Sequence, residues 1–91
     1  MGERLYGLDL YNYLLGLSAE LTLLGKEDAA SQVAHTSKFI SGSMSELFGE
    51  SAALLPKILR DHGDQMTEPG RYRLRQAIDA IEREFQLIGG A

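Results

Sequence analysis

Apolar residues recur along the chain at steps of three and four positions, in four stretches separated by glycine. Gly25, Gly42 and Gly63 each follow such a stretch, and Gly89-Gly90 follows the last one. Steps of three and four keep side chains on one side of an α-helix, and glycine commonly follows a helix end. The pattern therefore predicts four helices, over about residues 9–24, 27–41, 44–62 and 68–88.

The first and last helices have the most regular apolar seams. The seam of the first helix consists of leucines only: Leu10, Leu14, Leu17, Leu21 and Leu24. The last helix repeats the same spacing with Leu74, Ile78, Ile81, Phe85 and Ile88. Asp9 and Thr67 are residue types that cap helix N-termini, so we expect each of them to begin its helix.

The two middle helices carry less regular patterns. The second has many small or hydroxylated residues on its apolar side. The third begins with Ser43-Met44-Ser45-Glu46, the spacing of a capping box. Its predicted core-facing residues are Met44, Leu47, Phe48, Leu55, Ile58 and Leu59. Proline removes one helical hydrogen bond and crowds the preceding turn, so we expect the third helix to be kinked or split near Pro56.

The connections between the predicted helices are short, which favours antiparallel packing of successive helices. The chain has one valine, and no segment alternates as a strand would. Its 91 residues suffice for one small core. We therefore predict a single all-α domain over residues 1–91, an antiparallel up-down four-helix bundle for which a dimer is one expected assembly.

The first helix holds more apolar residues than one core seam can use. Eleven of the seventeen residues from Leu8 to Leu24 are apolar. Either the other helices wrap around it on all sides, or part of its surface is a subunit interface, because large apolar patches are rare on monomers and tyrosine is enriched at interfaces. Leu8, Tyr11 and Leu15 point away from the leucine seam, and Tyr13 lies on neither side. These four are the candidate interface residues.

Composition and charge narrow the classes of partner. The net charge of −4 and the pI near 5.0 disfavour binding to nucleic acid, whose affinity depends on lysine and arginine. The longest uncharged run, from Leu10 to Ala19, is about half of what a membrane-spanning helix needs, and no signal-peptide pattern precedes it. We expect no membrane insertion and a cytoplasmic location. The absence of cysteine excludes disulfides and thiolate metal sites.

No constellation of catalytic or metal-binding residues stands out. Asp61, His62 and Asp64 form the densest group of metal-ligand types, but a histidine in the last turn of a helix is favoured by the helix dipole alone. The serines show no nucleophile elbow, and no glycine-rich phosphate loop is present. We therefore expect no metal, no cofactor and no enzyme activity.

Three arginines oppose a local rule. Arg71, Arg73 and Arg75 lie in the first two turns of the last helix, where the helix dipole disfavours positive charge. Neighbouring acids such as Asp64 and Asp79 could offset this cost by forming surface ion pairs. Alternatively, the three arginines form a contact site for an anion or an acidic partner.

The leading expectation is a small bacterial-type helical protein that works by association with other protein chains, as a homodimer or as a subunit of a complex. A second hypothesis is an immunity or inhibitor protein whose acidic surface covers a basic toxin or nuclease. A third is a helical bundle that binds a small ligand in a pocket lined by Tyr11, Tyr13 and Phe48.

Overall fold

The computed structural model describes the backbone of residues 7–89 and the side chains of residues 9–84. Four α-helices make up most of this part of the chain, and it contains no strand. They are α1 (Gly7–Leu23), α2 (Glu27–Ser37), α3 (Met44–His62) and α4 (Glu68–Gly89), with 3-10 helices at Lys38–Ser41 and Gly63–Gln65. The prediction of an all-helical chain is confirmed.

Helix α1 begins at Gly7, so the expectation that Asp9 caps it is wrong: Asp9 lies inside the first turn. The helix supplies one wall of the core through its leucine seam. Leu10, Leu14, Leu17 and Leu21 are all 1% exposed or less, and Leu24 is partly buried against them. The helix ends in a Schellman motif, in which Lys26 N donates to Leu21 O at 2.9 Å. Gly25 has φ of 78°, a conformation that glycine adopts without strain, so the chain can turn sharply into α2.

Helix α2 ends earlier than its predicted range because its C-terminal hydroxyls bond to the backbone. Ser37 Oγ donates to Ala34 O at 2.6 Å, three residues back, and Thr36 Oγ1 donates to Gln32 O at 3.0 Å. Such bonds compete with regular helical hydrogen bonding. The chain continues as the 3-10 helix Lys38–Ser41, and Gly42 N then donates to Phe39 O.

Helix α3 runs through Pro56 without a break. Ser43 Oγ accepts a hydrogen bond from Glu46 N at 3.4 Å, as expected of the cap. The expectation of a helix split near Pro56 is wrong: Pro56 is exposed, so water can reach the backbone carbonyl that proline leaves without a helical partner. The kink stays a prediction. Met44 is 47% exposed rather than buried, because it occupies the first position of the helix.

Helix α4 begins at the expected cap. Thr67 Oγ1 accepts a hydrogen bond from Gly70 N at 3.1 Å. Leu74 and Ile81 are fully buried, and Ile78 is partly buried against the same core. The side chains of Phe85 and Ile88, which the sequence pattern also assigns to this seam, lie outside the described residues.

The helices pack chiefly as two pairs, α1 with α2 and α3 with α4, with fewer contacts between α2 and α3. Ser18 Oγ on α1 donates to Ala30 O on α2 at 2.9 Å, which ties the first pair together. The core residues contributed by the other helices are Ala29, Ala30, Val33, Leu47, Phe48, Leu55, Ile58, Leu74 and Ile81, joined by Met66 from the segment before α4. This packing covers one side of α1 and leaves the other side open.

Candidate protein-binding surface

Between Asn12 and Leu23, the side of α1 that faces away from the core is exposed and carries no charge. We call it the outer face of α1; it consists of Asn12, Leu15, Gly16, Ala19, Thr22 and Leu23, and all six residues are exposed. Leu23 is 88% exposed and Leu15 is 43% exposed. A surface helix normally presents charged side chains to water. The outer face of α1 lacks them over about three turns.

The other three helices show the usual pattern of exposed charge. Glu27 and Asp28 are exposed on α2. Exposed charged residues on α3 include Glu50 and Lys57, and those on α4 include Asp79, Glu82 and Arg83. Within residues 9–84, α1 has an exposed side that carries no charged residue over the 12 positions from Asn12 to Leu23. None of the other helices has such a side within these residues.

The centre of the outer face has the spacing of a helix-packing seam. Asn12, Gly16, Ala19 and Leu23 follow one another at steps of four, three and four, the same steps as the buried leucines on the opposite side. Because an α-helix turns by about 100° per residue, these four side chains lie within one narrow stripe. This is the spacing at which the residues of one helix contact a second helix along its length.

Among the described residues, no contact or backbone conformation accounts for a glycine at position 16. A Cβ atom added there would have no atom outside its own helix segment within 4 Å, and its φ is not positive. Glycine inside a helix costs about 1 kcal/mol relative to alanine. No contact among the described residues offsets this loss of helix stability. Gly16 also lies near the middle of the uncharged stripe.

The four predicted interface residues are distributed differently from the expectation. Leu15 lies on the outer face, and Tyr11 is half-buried. Tyr13 does not belong to the outer face: it is partly buried and packs against the core, because its position on α1 turns it toward α4. The side chain of Leu8 lies outside the described residues.

Tyr13 lies instead in a polar cluster between α1 and α4. Its hydroxyl is buried, and no hydrogen-bond partner lies within reach among the described residues. Burial raises the pKa of Tyr13 above its usual value, the negative charge of Glu20 raises it further, and Arg73 lowers it. The Glu20 carboxylate lies so close to Gly70 that a Cβ atom there would clash with it. Glu20 is thus directed toward the start of α4, not into the outer face.

The arginines of α4 are not held by the acids that surround them in sequence. Among the described residues, no ion pair joins Arg71, Arg73 or Arg75 to an acidic side chain. Arg71 Nη1 instead donates to Gly63 O at 2.9 Å, which satisfies a carbonyl at the end of α3. Arg71 and Arg75 also line a shallow depression of about 260 Å³ with Glu68 and Tyr72.

A larger open groove lies between α2 and α3. Its volume is about 620 Å³, and the residues that line it are Ser31, Gln32, His35, Thr36, Glu50, Ala53, Leu54 and Lys57. The expected ligand pocket of Tyr11, Tyr13 and Phe48 does not coincide with this groove, since Phe48 is buried in the core.

The described part of the chain shows no group of side chains suited to a metal ion and no membrane-spanning helix. No three histidine, aspartate or glutamate side chains there are grouped so that they could hold a metal ion. None of the helices within residues 7–89 is long and apolar enough to cross a membrane. The outer face of α1 is therefore the surface whose chemistry departs furthest from that of an ordinary solvated helix.

Comparison with known proteins adds no family to this description. No protein-family model matches the chain, and no curated protein or solved structure matches it either.

Proposed function

We propose that this protein acts without enzyme activity of its own, by binding another protein chain through the outer face of α1, as a homodimer or as a subunit of a complex. The observation that carries the proposal is the absence of charge on the exposed residues from Asn12 to Leu23. Charged residues are depleted in the centres of protein interfaces. Covering the exposed apolar residues of a helix with a partner is favourable, because it removes them from water.

The size of this gain follows from the two exposed leucines. Burying a leucine side chain completely is worth about 1.5 to 3 kcal/mol. Scaled by the exposed fractions of Leu23 and Leu15, 88% and 43%, covering both contributes on the order of 3 kcal/mol from one partner. Gly16 and Ala19 add little apolar area, but their small size lets a second backbone approach closely.

Several finer features of the proposal come from the sequence. Short connections between the helices support an up-down antiparallel arrangement of the four helices in each chain. We keep the cytoplasmic location and the bacterial origin as predictions. We expect no nucleic acid, no membrane and no metal among the partners.

Two alternatives have weaker support. The groove of about 620 Å³ between α2 and α3 lies within the usual volume range of ligand sites, but it is open and lined by many polar groups, which favours the docking surface over a ligand-binding bundle. The net charge of −4 supports an inhibitor of a basic toxin or nuclease. Such a partner would contact the exposed acids of α2 and α3 instead of the outer face of α1.

A matched pair of alanine variants tests the proposal. Ala19 lies at the centre of the outer face and Ala53 is exposed on α3, so Ala19→Glu and Ala53→Glu place the same charge on two different helices. Tagged wild-type protein and both variants are used to capture binding proteins from the native host, which also produces an untagged copy of the chain.

We expect the wild type and Ala53→Glu to retain the same stoichiometric partner, whether a second copy or a different protein, and Ala19→Glu to lose it. Circular dichroism of all three proteins shows whether they are folded. Equal capture by both folded variants contradicts the proposal, and loss with Ala53→Glu alone favours the inhibitor or ligand-binding alternative.

A further inference from the structure

We infer that the partner of this surface is a second copy of the chain, and that two α1 helices pack antiparallel with Gly16 of one copy against Ala19 of the other. The inference rests on the proposed function, because it names the occupant of the same face. Three features of α1 support it: the pairing of residues along the stripe, the position of the small residues, and the charges at the two ends.

The central stripe is complementary to itself when reversed. Its steps of four, three and four read the same in both directions. In an antiparallel pair centred between Gly16 and Ala19, Asn12 of one copy lies opposite Leu23 of the other, and Gly16 lies opposite Ala19. Each pairing then occurs twice around the two-fold axis, as a symmetric dimer requires.

The small residues occupy the place where this arrangement brings the two backbones closest. Gly16 and Ala19 lie at the centre, and Asn12 and Leu23 lie toward the ends. Within the described residues nothing requires a glycine at position 16, and a close contact with the partner helix would account for it. The leucine at each end is covered by the start of the partner helix.

The charges near α1 favour a second copy as the partner and an antiparallel orientation of the two helices. Two copies that each carry a net charge of −4 repel one another overall, but two uncharged faces meet without local like-charge repulsion. Asp9 is exposed near the start of α1, and Lys26 directly follows its C-terminal turn. Antiparallel packing brings Asp9 of one copy near Lys26 of the other, whereas parallel packing would bring the two Asp9 carboxylates together. The antiparallel helix dipoles also attract.

The expected affinity is modest. A helix of 17 residues is about 25 Å long, and a pair of such helices buries less than the roughly 1,600 Å² of a standard interface. We therefore expect the dimer to form at micromolar concentration and to dissociate on dilution.

Cysteine cross-linking tests both the partner and the direction, since the natural chain contains no cysteine. Asn12→Cys and Leu23→Cys are prepared as separate proteins with tags of different mass, mixed, and oxidised with oxidised glutathione. In an antiparallel dimer, the cysteine at position 12 of one copy lies opposite the cysteine at position 23 of the other, so only the mixed dimer can form a disulfide. Two cysteines at the same position are offset by 11 residues, or about 16 Å along the helix axis, which a disulfide cannot span. Ala53→Cys serves as the control for random collision.

We expect the mixed disulfide dimer in at least tenfold excess over either homodimer. Homodimers of each variant would show parallel packing and overturn the inference, and so would cross-linking no greater than that of Ala53→Cys.

Gly16→Leu should stabilise the monomer and weaken the dimer. Gly16→Leu has open space in the single chain, so we expect a higher melting temperature at concentrations where the chain is monomeric. In the dimer the leucine would meet the partner backbone, so we expect the dissociation constant to increase at least tenfold, with Ala53→Leu causing no such increase.

These measurements distinguish failure of the inference from failure of the proposed function. A purified wild type that stays monomeric at high micromolar concentration overturns the inference. The proposed function still stands in that case if Ala19→Glu, but not Ala53→Glu, abolishes capture of a different protein. If both charge variants capture the same partner, the proposed function fails as well.

Discussion

Replacement of Gly16 by alanine isolates the cost that this glycine imposes on the single chain. The dimer contact is first removed by working in the Ala19→Glu background at low protein concentration. Gly16 is exposed in the middle of α1, its φ is not positive, and the new methyl group would meet no atom beyond its own helix segment within 4 Å. The substitution therefore changes helix propensity and very little else.

The expected gain is the full propensity difference between glycine and alanine, about 1 kcal/mol in the free energy of unfolding. For a domain of this size, 1 kcal/mol corresponds to an increase of about 4 to 8 °C in melting temperature. Urea denaturation followed by far-ultraviolet circular dichroism measures the free energy, and a thermal scan measures the shift in temperature.

Ala53→Gly on the exposed side of α3 is the mirror control, and it should lower the free energy of unfolding by about the same amount. An unchanged or lower stability of Gly16→Ala, with the expected loss for Ala53→Gly, would refute the reasoning. It would mean that the single chain itself needs a glycine at position 16.

Three further substitutions test other parts of the fold. Gly70→Ala should change stability by less than about 1 kcal/mol, because its better helix propensity is offset by displacement of the Glu20 carboxylate and crowding of the Thr67 cap; urea denaturation should show a more favourable effect of the substitution in a Glu20→Ala background. Tyr13→Phe should leave stability unchanged or raise it by up to about 1 kcal/mol near neutral pH, since it removes a buried hydroxyl without a partner. The predicted kink implies that Pro56→Ala lowers stability or barely changes it, because straightening α3 would cost core contacts; a gain near the full ~3 kcal/mol of propensity in urea denaturation would contradict the kink.

The pH dependence of Tyr13 follows from the direction of its pKa shift. The folded state raises the pKa of Tyr13 above its unfolded value near 10, so the stabilising contribution is complete below that value and is lost as the pH rises beyond it toward the folded pKa. Urea denaturation at alkaline pH should therefore show a steeper loss of stability for the wild type than for Tyr13→Phe. Equal slopes would show that the hydroxyl is accessible to water.

The amino-acid sequence specifies the helices well because their signals are local. The leucine seam of α1 and the caps at Ser43 and Thr67 depend on residues within one or two turns, and the structure shows each of them in its expected role. The apolar pattern does not indicate where α2 ends, because the hydroxyls of Thr36 and Ser37 bond to helix carbonyls without changing that pattern.

The candidate surface was predictable only in outline. The surplus of apolar residues in α1 indicates an additional contact, but which of them stay exposed depends on where α2 and α4 lie beside α1. Tyr13 is turned toward α4, where Arg73 lies, and this contact joins residues about 60 positions apart in the sequence. The 4-3-4 spacing of the outer stripe was present in the sequence, but small and polar residues such as Gly16 and Asn12 carry little weight in a search for apolar seams.

Sedimentation velocity of the purified chain over a concentration series from low to high micromolar tests the central claim most directly, with Ala19→Glu and Ala53→Glu measured beside the wild type. The outer face of α1 as a self-association surface predicts a reversible dimer for the wild type and Ala53→Glu, and a monomer for Ala19→Glu throughout the series. A wild type that remains monomeric, or a dimer that persists equally in Ala19→Glu, would contradict it.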